Sequence, residues 1–549
     1  MEPEAGGWFS AGREAAGPAG TYLLSVDGAS PCPDPRSAFQ PEGVHGPSQL
    51  VDHTEFAWTD AGWSGIALAD AVVYELHVGT FSEVGTFDGV IERLPHLLGL
   101  GVNAIELLPV ATFPGTRGWG YDGVDLFAPH PAYGGPNGLK RLVDACHGAG
   151  VAVVMDVVYN HLGPDGNYLG EFGPYFTDIY KTPWGAALNF DGPQSDEVRH
   201  FFVDNAVSWL RDYHCDGLRL DAVHAILDTS ATHVLEQLEA EVRAVETEVG
   251  RALWLIAESD ANDPRVIASV DRGGYGLDAQ WSDDFHHALH AQVTGERSGY
   301  YQDFGTMADI ATALRQAYVY AGRYSPYRQR TYGRMPQGLA GSAFLGYIQD
   351  HDQVGNRARG ERISSLVSPG LCRVAAALVL FSPFTPMLFA GEEWGASTPF
   401  LYFTDHHERD LARAVSRGRR REFAAFGWKP EDVPDPQDSD TFESSRLRWA
   451  ELEQPGHASM LAWYRDLIKL RRDHARLRDG RLEGVEVDFD EDSRWLLVSR
   501  GDLTLACNLG AGTVQLHADG ELLLASDPGV HVGTGLALPP ESAAVLRRA

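Results

Sequence analysis

The sequence is short of what would tie it to nucleic acid, to a membrane or to an oxidising compartment. Its 44 Lys and Arg face 76 Asp and Glu, a formal net charge of −32. Such a surface repels phosphate backbones and anionic lipid, and it suits an uncharged substrate. The five cysteines (Cys32, Cys146, Cys215, Cys372, Cys507) are odd in number and contain no C-x-x-C pair. Neither a disulfide framework nor a thiolate zinc site is supported, and buried free thiols in a reducing cytoplasm are expected. The start, Met1-Glu2-Pro3-Glu4-Ala5, is acidic and lacks the basic-then-apolar build of a secretion signal. The most apolar segment, Val374 to Ala390, is broken by Ser382, Pro383, Thr385 and Pro386. It reads as helix, turn and strand, not as a membrane span. No G-x-G-x-x-G follows the first strand-like run, which argues against a dinucleotide fold.

What is present is the texture of a large globular protein. Hydrophobic residues make up 44% and charged residues 22% of 549 positions, so more than one domain is expected. Residues 1–70 are rich in Gly, Pro and Ser, with one strand-like run from Thr21 to Val26, and read as the remnant of an N-terminal β-sandwich. From Ala71 onward, strand-like and helix-like runs alternate. Strands are expected at 72–76, 104–108, 151–156, 217–220, 253–257, 277–281, 345–349 and 386–390. Helices fall between them, the first over 87–100. Eight such units predict a closed (β/α)8 TIM barrel spanning 71–475. An irregular excursion, 159–196, interrupts it after the third strand as a small inserted subdomain. Residues 476–549 read as short strands between Gly, Asp and Pro, a C-terminal all-β domain.

The stretch Gly217-Leu218-Arg219-Leu220-Asp221-Ala222-Val223-His224 organises the rest. Alternate strand residues share a face, so Arg219 and Asp221 point the same way. A guanidinium beside a carboxylate favours the ionised form, the state a nucleophile needs. A lone Arg-x-Asp pair is most often structural, but here the other strand ends carry matching groups. Trp119-Gly120-Tyr121-Asp122 follows the second strand and Asp156-Val157-Val158-Tyr159-Asn160-His161 closes the third. Glu258 ends the fifth and Asp350-His351-Asp352-Gln353 ends the seventh. In a barrel these ends converge on one mouth. Paired carboxylates with aromatics, and no nucleotide motif, suit glycoside cleavage. Glu258 follows the apolar run Trp254 to Ala257, where desolvation would raise its pKa as an acid catalyst requires. Asp352 beside His351 could bind sugar hydroxyls.

The stretches DVVYNH (156–161), GLRLDAVH (217–224), AESD (257–260) and YIQDHD (347–352) resemble the four ordered motifs of the α-amylase superfamily. That resemblance covers roughly residues 71–549. It implies a retaining mechanism with Asp221 as nucleophile, Glu258 as general acid/base and Asp352 as transition-state stabiliser. It also implies that Tyr121 stacks on the sugar whose bond is cleaved, with His161, Arg219 and His351 lining the same subsite. Further segments, 40–49, 276–290, 347–362 and 389–406, are similar to the maltooligosyltrehalose trehalohydrolase family. Its members cleave the α-1,4 bond next to the terminal trehalose of maltooligosyltrehalose and act after the synthase that makes that substrate. That family usually carries a complete N-terminal β-sandwich, of which only the last part is expected here, through a truncated start or a reduced domain.

Weaker candidates remain. Trp281, at the end of the sixth strand, could stack on the trehalose end, with a core role nearly as well supported. His224, by resemblance, reaches the leaving-group sugar. The pairs Asp283-Asp284 and His286-His287 invite a metal reading, but adjacent helix residues do not face each other. Acids at a helix N-terminus are the expectation for the aspartates. Arg417 to Arg421 reads as a solvated loop face. Asn160 often serves calcium in amylases, yet the excursion lacks an Asp-rich partner set, so no metal and no cofactor are expected. A glycogen branching enzyme, an α-1,6 debranching hydrolase and a catalytically dead barrel are the rival functions. The last would be expected to lack Asp221 or Glu258, and both are present.

Overall fold

The eight apolar runs are short, branched and flanked by turn residues, and each is buried on both faces. In the computed structural model, which describes residues 1–4, 8–12, 20–424 and 428–548, they close into a parallel barrel. The strands are β1 (Val73–Leu76), β2 (Ala104–Leu107), β3 (Ala152–Val157) and β4 (Gly217–Leu220). They continue as β5 (Trp254–Ala257), β6 (Ala279–Trp281), β7 (Phe344–Gly346) and β8 (Thr385–Phe389). Each pairs with its sequence neighbours, and β8 closes on β1. β7 ends at Gly346, earlier than the expected 349, because Asp350 caps a short helix, His351–Gly355. The expected helix over 87–100 is two, Phe87–Ile91 and Leu94–Leu100. Pro95 lies in the first turn of the second, where its missing amide costs nothing.

The barrel interior is a packed core, not a pore. Val73, Val154, Ile256, Trp281, Leu345 and Met387 belong to it, and Trp63, Ile66 and Leu68 pack against it. Those last three come from the segment before β1. Within that segment the expected strand Thr21–Val26 shrinks to Thr21–Tyr22, paired with Ser48–Gln49, plus one bridge at Leu24. Residues 5–7 and 13–19 of the expected sandwich remnant lie outside the described residues.

The excursion after β3 carries a short helix, Leu169–Phe172, and an antiparallel hairpin, Phe176–Thr182 with Gly185–Leu188. The C-terminal region is all β. A five-stranded sheet joins Val485–Asp490, Trp495–Arg500, Leu503–Asn508, Ser542–Arg547 and Glu521–Ala525. A three-stranded sheet joins 514–516, 536–538 and 531–532. The five cysteines are buried and free. Among the described residues, no helix is long and apolar enough to cross a membrane.

Candidate active site

Register builds the site. In the β3–β4 ladder, Asp156 stands opposite Arg219, both on the inward face. The Arg219 Nη1 donates to Asp156 Oδ1 and Oδ2 at 2.8 Å each and to Asp221 Oδ1 at 2.8 Å. Two residues along the same face, Asp221 thus shares its guanidinium with a strand neighbour. Nη2 lies 3.2 Å from Glu258 Oε2, so one buried cation touches three carboxylates from three strands. Arg219 is itself sealed underneath by Trp281, whose ring lies 4.5 Å from the guanidinium carbon. A fixed guanidinium of this kind orients carboxylates more tightly than a lysine would.

Glu258 is held from a second side. Its Oε2 accepts from the Ala222 amide at 2.8 Å. Ala222 adopts φ +40° and ψ +51°, a left-handed conformation that costs a non-glycine residue energy. The strain turns the amide after Asp221 toward Glu258, and it is held by the β4–β5 contacts around it. Burial drives the Glu258 pKa well above the carboxylate range. Arg219 opposes this, and the charges of Asp221 and Asp352 add to it. A carboxyl whose pKa is raised by burial, beside a second carboxylate fixed by a guanidinium, is an arrangement able to serve acid and nucleophile chemistry on a glycoside.

The remaining groups form the walls. The Tyr121 hydroxyl donates to Asp156 Oδ2 at 2.6 Å and lies 2.7 Å from His351 Nε2, and its ring stacks on His351 at 5.1 Å. His351 Nδ1 contacts Glu75 Oε1 of β1 at 2.5 Å, and its backbone amide donates to Glu75 Oε2 at 3.0 Å. Burial disfavours a charged imidazole there, yet Glu75 and Asp352 outweigh it and push His351 up to about 10. Asp352 stands 3.6 Å from His351 Nε2, with its side chain 38% exposed at the mouth. His161 donates from Nε2 to the Tyr121 carbonyl at 3.0 Å, and Trp184 from the excursion hairpin stacks on it at 4.8 Å. His224 stands further out, 3.9 Å from Asp260 Oδ1.

The structure therefore brings Asp221, Glu258, Arg219, Tyr121, His351, Asp352 and His161 to one end of the barrel. Trp281 is a correction. It is only 2% exposed and lies beneath Arg219, packed edge-on against Tyr347 and His351, so its faces are closed to a ligand. A three-residue strand points its last side chain into the barrel layer, not out of the mouth. Asp283 and Asp284 do open the helix Asp283–Thr294, but both are tied down, Asp284 buried and Asp283 half-buried. Asp283 accepts from the Tyr347 hydroxyl, and Asp284 from the backbone amides of Val319 and Tyr320. His286 and His287 are buried among aromatic rings. Arg417 to Arg421 lie on a helix, Arg409–Ala424, not a loop, and Arg419 reaches back to Gly355 and Asn356.

Sequence reasoning missed three contributors. Asp156 sat inside a quoted motif without a role, because its in-register place opposite Arg219 follows from how the barrel closes. Glu75 is a lone acid in an apolar strand, where a charged residue in a barrel interior is itself a signal. Trp184 sits in an irregular segment with no pattern to mark it.

Residues 60–178 match the family model described as "Alpha amylase, catalytic domain", and 480–545 match "Domain of unknown function (DUF3459)". The chain is 49% identical to a malto-oligosyltrehalose trehalohydrolase of Mycobacterium tuberculosis, over 100% of this chain and 95% of that protein. It is 52% identical to another of Arthrobacter ramosus, over 96% and 91%. A crystal structure from Salmonella typhimurium, described as that of an alpha amylase, superposes with a TM-score of 0.89 at 40% identity, covering 96% of this chain and 90% of that one. With two-fifths to half of its residues shared across nearly its whole length, the chain belongs to the malto-oligosyltrehalose trehalohydrolase family, glycoside hydrolases of the α-amylase superfamily.

Proposed function

We propose that this enzyme hydrolyses the α-1,4 bond adjacent to the terminal trehalose of maltooligosyltrehalose, releasing trehalose and a maltooligosaccharide with retention at the anomeric carbon. The observation that carries the reading is the single guanidinium of Arg219, which grips Asp221 at 2.8 Å and touches Glu258 at 3.2 Å. Asp221 Oδ1 is occupied by Arg219, which leaves Oδ2 to attack the anomeric carbon and form a glycosyl ester. Glu258 Oε2 is occupied by the Ala222 amide, so its proton is delivered from Oε1 to the leaving oxygen. The departing sugar is replaced by water, from which Glu258 takes a proton as the ester is hydrolysed. Asp352, the most open of the three, accepts from the sugar hydroxyls and favours the distorted ring of the transition state. Tyr121 and His351 form the stacked wall beside the cleaved unit, His161 closes the other side, and His224 faces the leaving-group sugar.

The same reading supplies the setting. The substrate is the product of maltooligosyltrehalose synthase, and the two enzymes act in series in trehalose biosynthesis. Free thiols and an acidic surface fit the cytoplasm. We divide the chain into an N-terminal segment, 1–70, the barrel, 71–475, with the excursion 159–196, and the C-terminal β domain, 476–549. The test is product analysis on maltotetraosyltrehalose, maltohexaose and glycogen in parallel. Trehalose and maltotetraose in equal amounts are expected from the first. Faster turnover of maltohexaose, or glucan transfer in place of hydrolysis, would overturn the substrate assignment.

A further inference from the structure

A second cluster of chemistry-bearing side chains lies outside the active site and has no part in the reaction above. His45 comes from the segment before the barrel, Asp165 from the excursion after β3 and His407 from the loop after β8. One ligand atom from each lies within 4.8 Å of the other two. Asp165 is only 7% exposed, and its Oδ2 is buried without a hydrogen-bond partner. A carboxylate oxygen left bare in the interior is costly unless something positive meets it.

The surroundings select the kind of cation. Asp165 Oδ1 lies 2.9 Å from His45 Nε2, and His45 Nδ1 lies 2.8 Å from the Tyr168 hydroxyl. Because the carboxylate can only accept, Nε2–H donates to Asp165 and Nδ1 accepts from the Tyr168 hydroxyl. A cation at this point takes the place of the Nε2 proton, and the ring proton then sits on Nδ1 with the Tyr168 oxygen as its acceptor, the arrangement in which a ligating imidazole is oriented by a partner on its other nitrogen. Two imidazoles and one carboxylate, with room for water on the exposed side, match the tetrahedral preference of zinc-class ions. Calcium and magnesium favour all-oxygen sets. Among the described residues the ion-pair partner of Asp165 is His45, through Oδ1, and no Lys or Arg pairs with it.

We propose that His45, Asp165 and His407 form a binding site for one divalent transition-metal ion of the zinc class, with water as the fourth ligand. The ion clips three chain segments that share no other element. It does so beside the mouth of the barrel: His161 begins the same excursion, and His406, next to His407, lies 3.7 Å from Asp122. Its role is to fix the rim of the substrate cleft, not to take part in bond cleavage.

The experiment is a Co2+ titration of the untagged full chain after chelator treatment, followed by visible absorption. One equivalent of Co2+ is expected to give a tetrahedral ligand-field band that Zn2+ displaces. His407→Ala, at an exposed position that leaves folding intact, should weaken binding by about tenfold or more, and His45→Ala should abolish the band. Tyr168→Phe, which removes only the outer hydrogen bond, should weaken it by about tenfold. Calorimetry supplies a second readout: the melting temperature of the wild type should rise with Zn2+ and fall with chelator, and that of His407→Ala should respond to neither. Absence of a band in the wild type, or a band unchanged in both histidine variants, would overturn the proposal.

Discussion

Strand β4 carries an aspartate at each end, and the two could hardly be treated more differently. Asp216, just before Gly217, is 1% exposed and has every lone pair engaged. Its Oδ1 accepts from the Trp63 indole at 2.7 Å and from Arg251 at 3.3 Å. Its Oδ2 accepts from the Val153 amide at 2.8 Å and meets His147 at 2.9 Å. Asp221, just after Leu220, is bonded through one oxygen to Arg219, and its side chain keeps 10% of its surface open. The first carboxylate closes the bottom of the barrel and pins the segment carrying Trp63 beneath it. The second leaves an oxygen free toward the mouth. A buried carboxylate whose hydrogen bonds are complete is a structural rivet, and one held in place but left incomplete is a reagent. Left-handed backbone occurs near both ends, at Ala222 after Asp221 and at His214 before Asp216, so it is the carboxylates' partners and not backbone strain that separate the two.

The contrast breaks most sharply on exchange of charge for amide. Asp221→Asn preserves shape and should lower kcat/KM by about 10^4-fold or more, with melting within a few degrees of wild type. A variant that retained a tenth of the activity would remove Asp221 from the reaction. Glu258→Gln should cost about 10^3-fold on maltooligosyltrehalose. Its loss should be far smaller on a maltooligosyl fluoride, whose leaving group needs no proton. Because burial raises Glu258, the alkaline limb of the wild-type kcat/KM profile should lie above the ordinary carboxylate range, and the variant should lack that limb. An alkaline limb retained in Glu258→Gln would assign the acid role elsewhere.

At the sealed end the expected effect is on stability. Asp216→Ala removes the acceptor of the Trp63 indole and the Val153 amide and the anionic partner that Arg251 and His147 share, and a broken buried pair costs about 3–5 kcal/mol. Chemical denaturation should move by that amount, while the folded fraction turns over substrate at the wild-type rate. Equal loss of turnover per folded molecule would mean that the two ends of β4 are coupled, and the contrast between rivet and reagent would fail.

This difference marks how far the sequence could be read. The alternation of Arg219 and Asp221 is a local property of one strand, so their shared face was legible, as was the barrel from eight repeated units. Glu258 at the end of an apolar run was legible for the same reason. The partners supplied by neighbouring strands were not, because inter-strand register has no signature in a single chain: Asp156 opposite Arg219, and Glu75 beneath His351, follow from how the barrel closes. Trp281 failed in the opposite direction. Its place in the sequence is at a strand end, but whether that side chain faces the mouth or the packed layer depends on where the three-residue strand stops. His45 and His407 sit in loops, without the spacing that marks a metal motif, and only the fold brings them to Asp165.

The smallest expected effect tests whether the walls of the site also contribute to stability. In the unfolded chain His351 titrates near its ordinary 6.5, and in the native protein near 10. Burial opposes the charge, and Glu75 with Asp352 overcomes it. Between those two values the native state keeps a proton that the unfolded chain has shed. The stabilisation is therefore complete below about pH 6.5 and is lost progressively as pH rises toward 10. Glu75→Gln keeps a hydrogen-bond acceptor for the ring but removes the carboxylate with the larger influence on it, so the folded pKa falls and the window narrows. Melting temperature measured from pH 6.5 to 9.5 should slope downward in the wild type and more gently in the variant. Parallel slopes would show that His351 is already neutral in the native state. The stacked wall of Tyr121 and His351 would then be held by packing and by uncharged hydrogen bonding of the two side chains to Asp156 and Glu75, which would make it a neutral surface in place of a charged one.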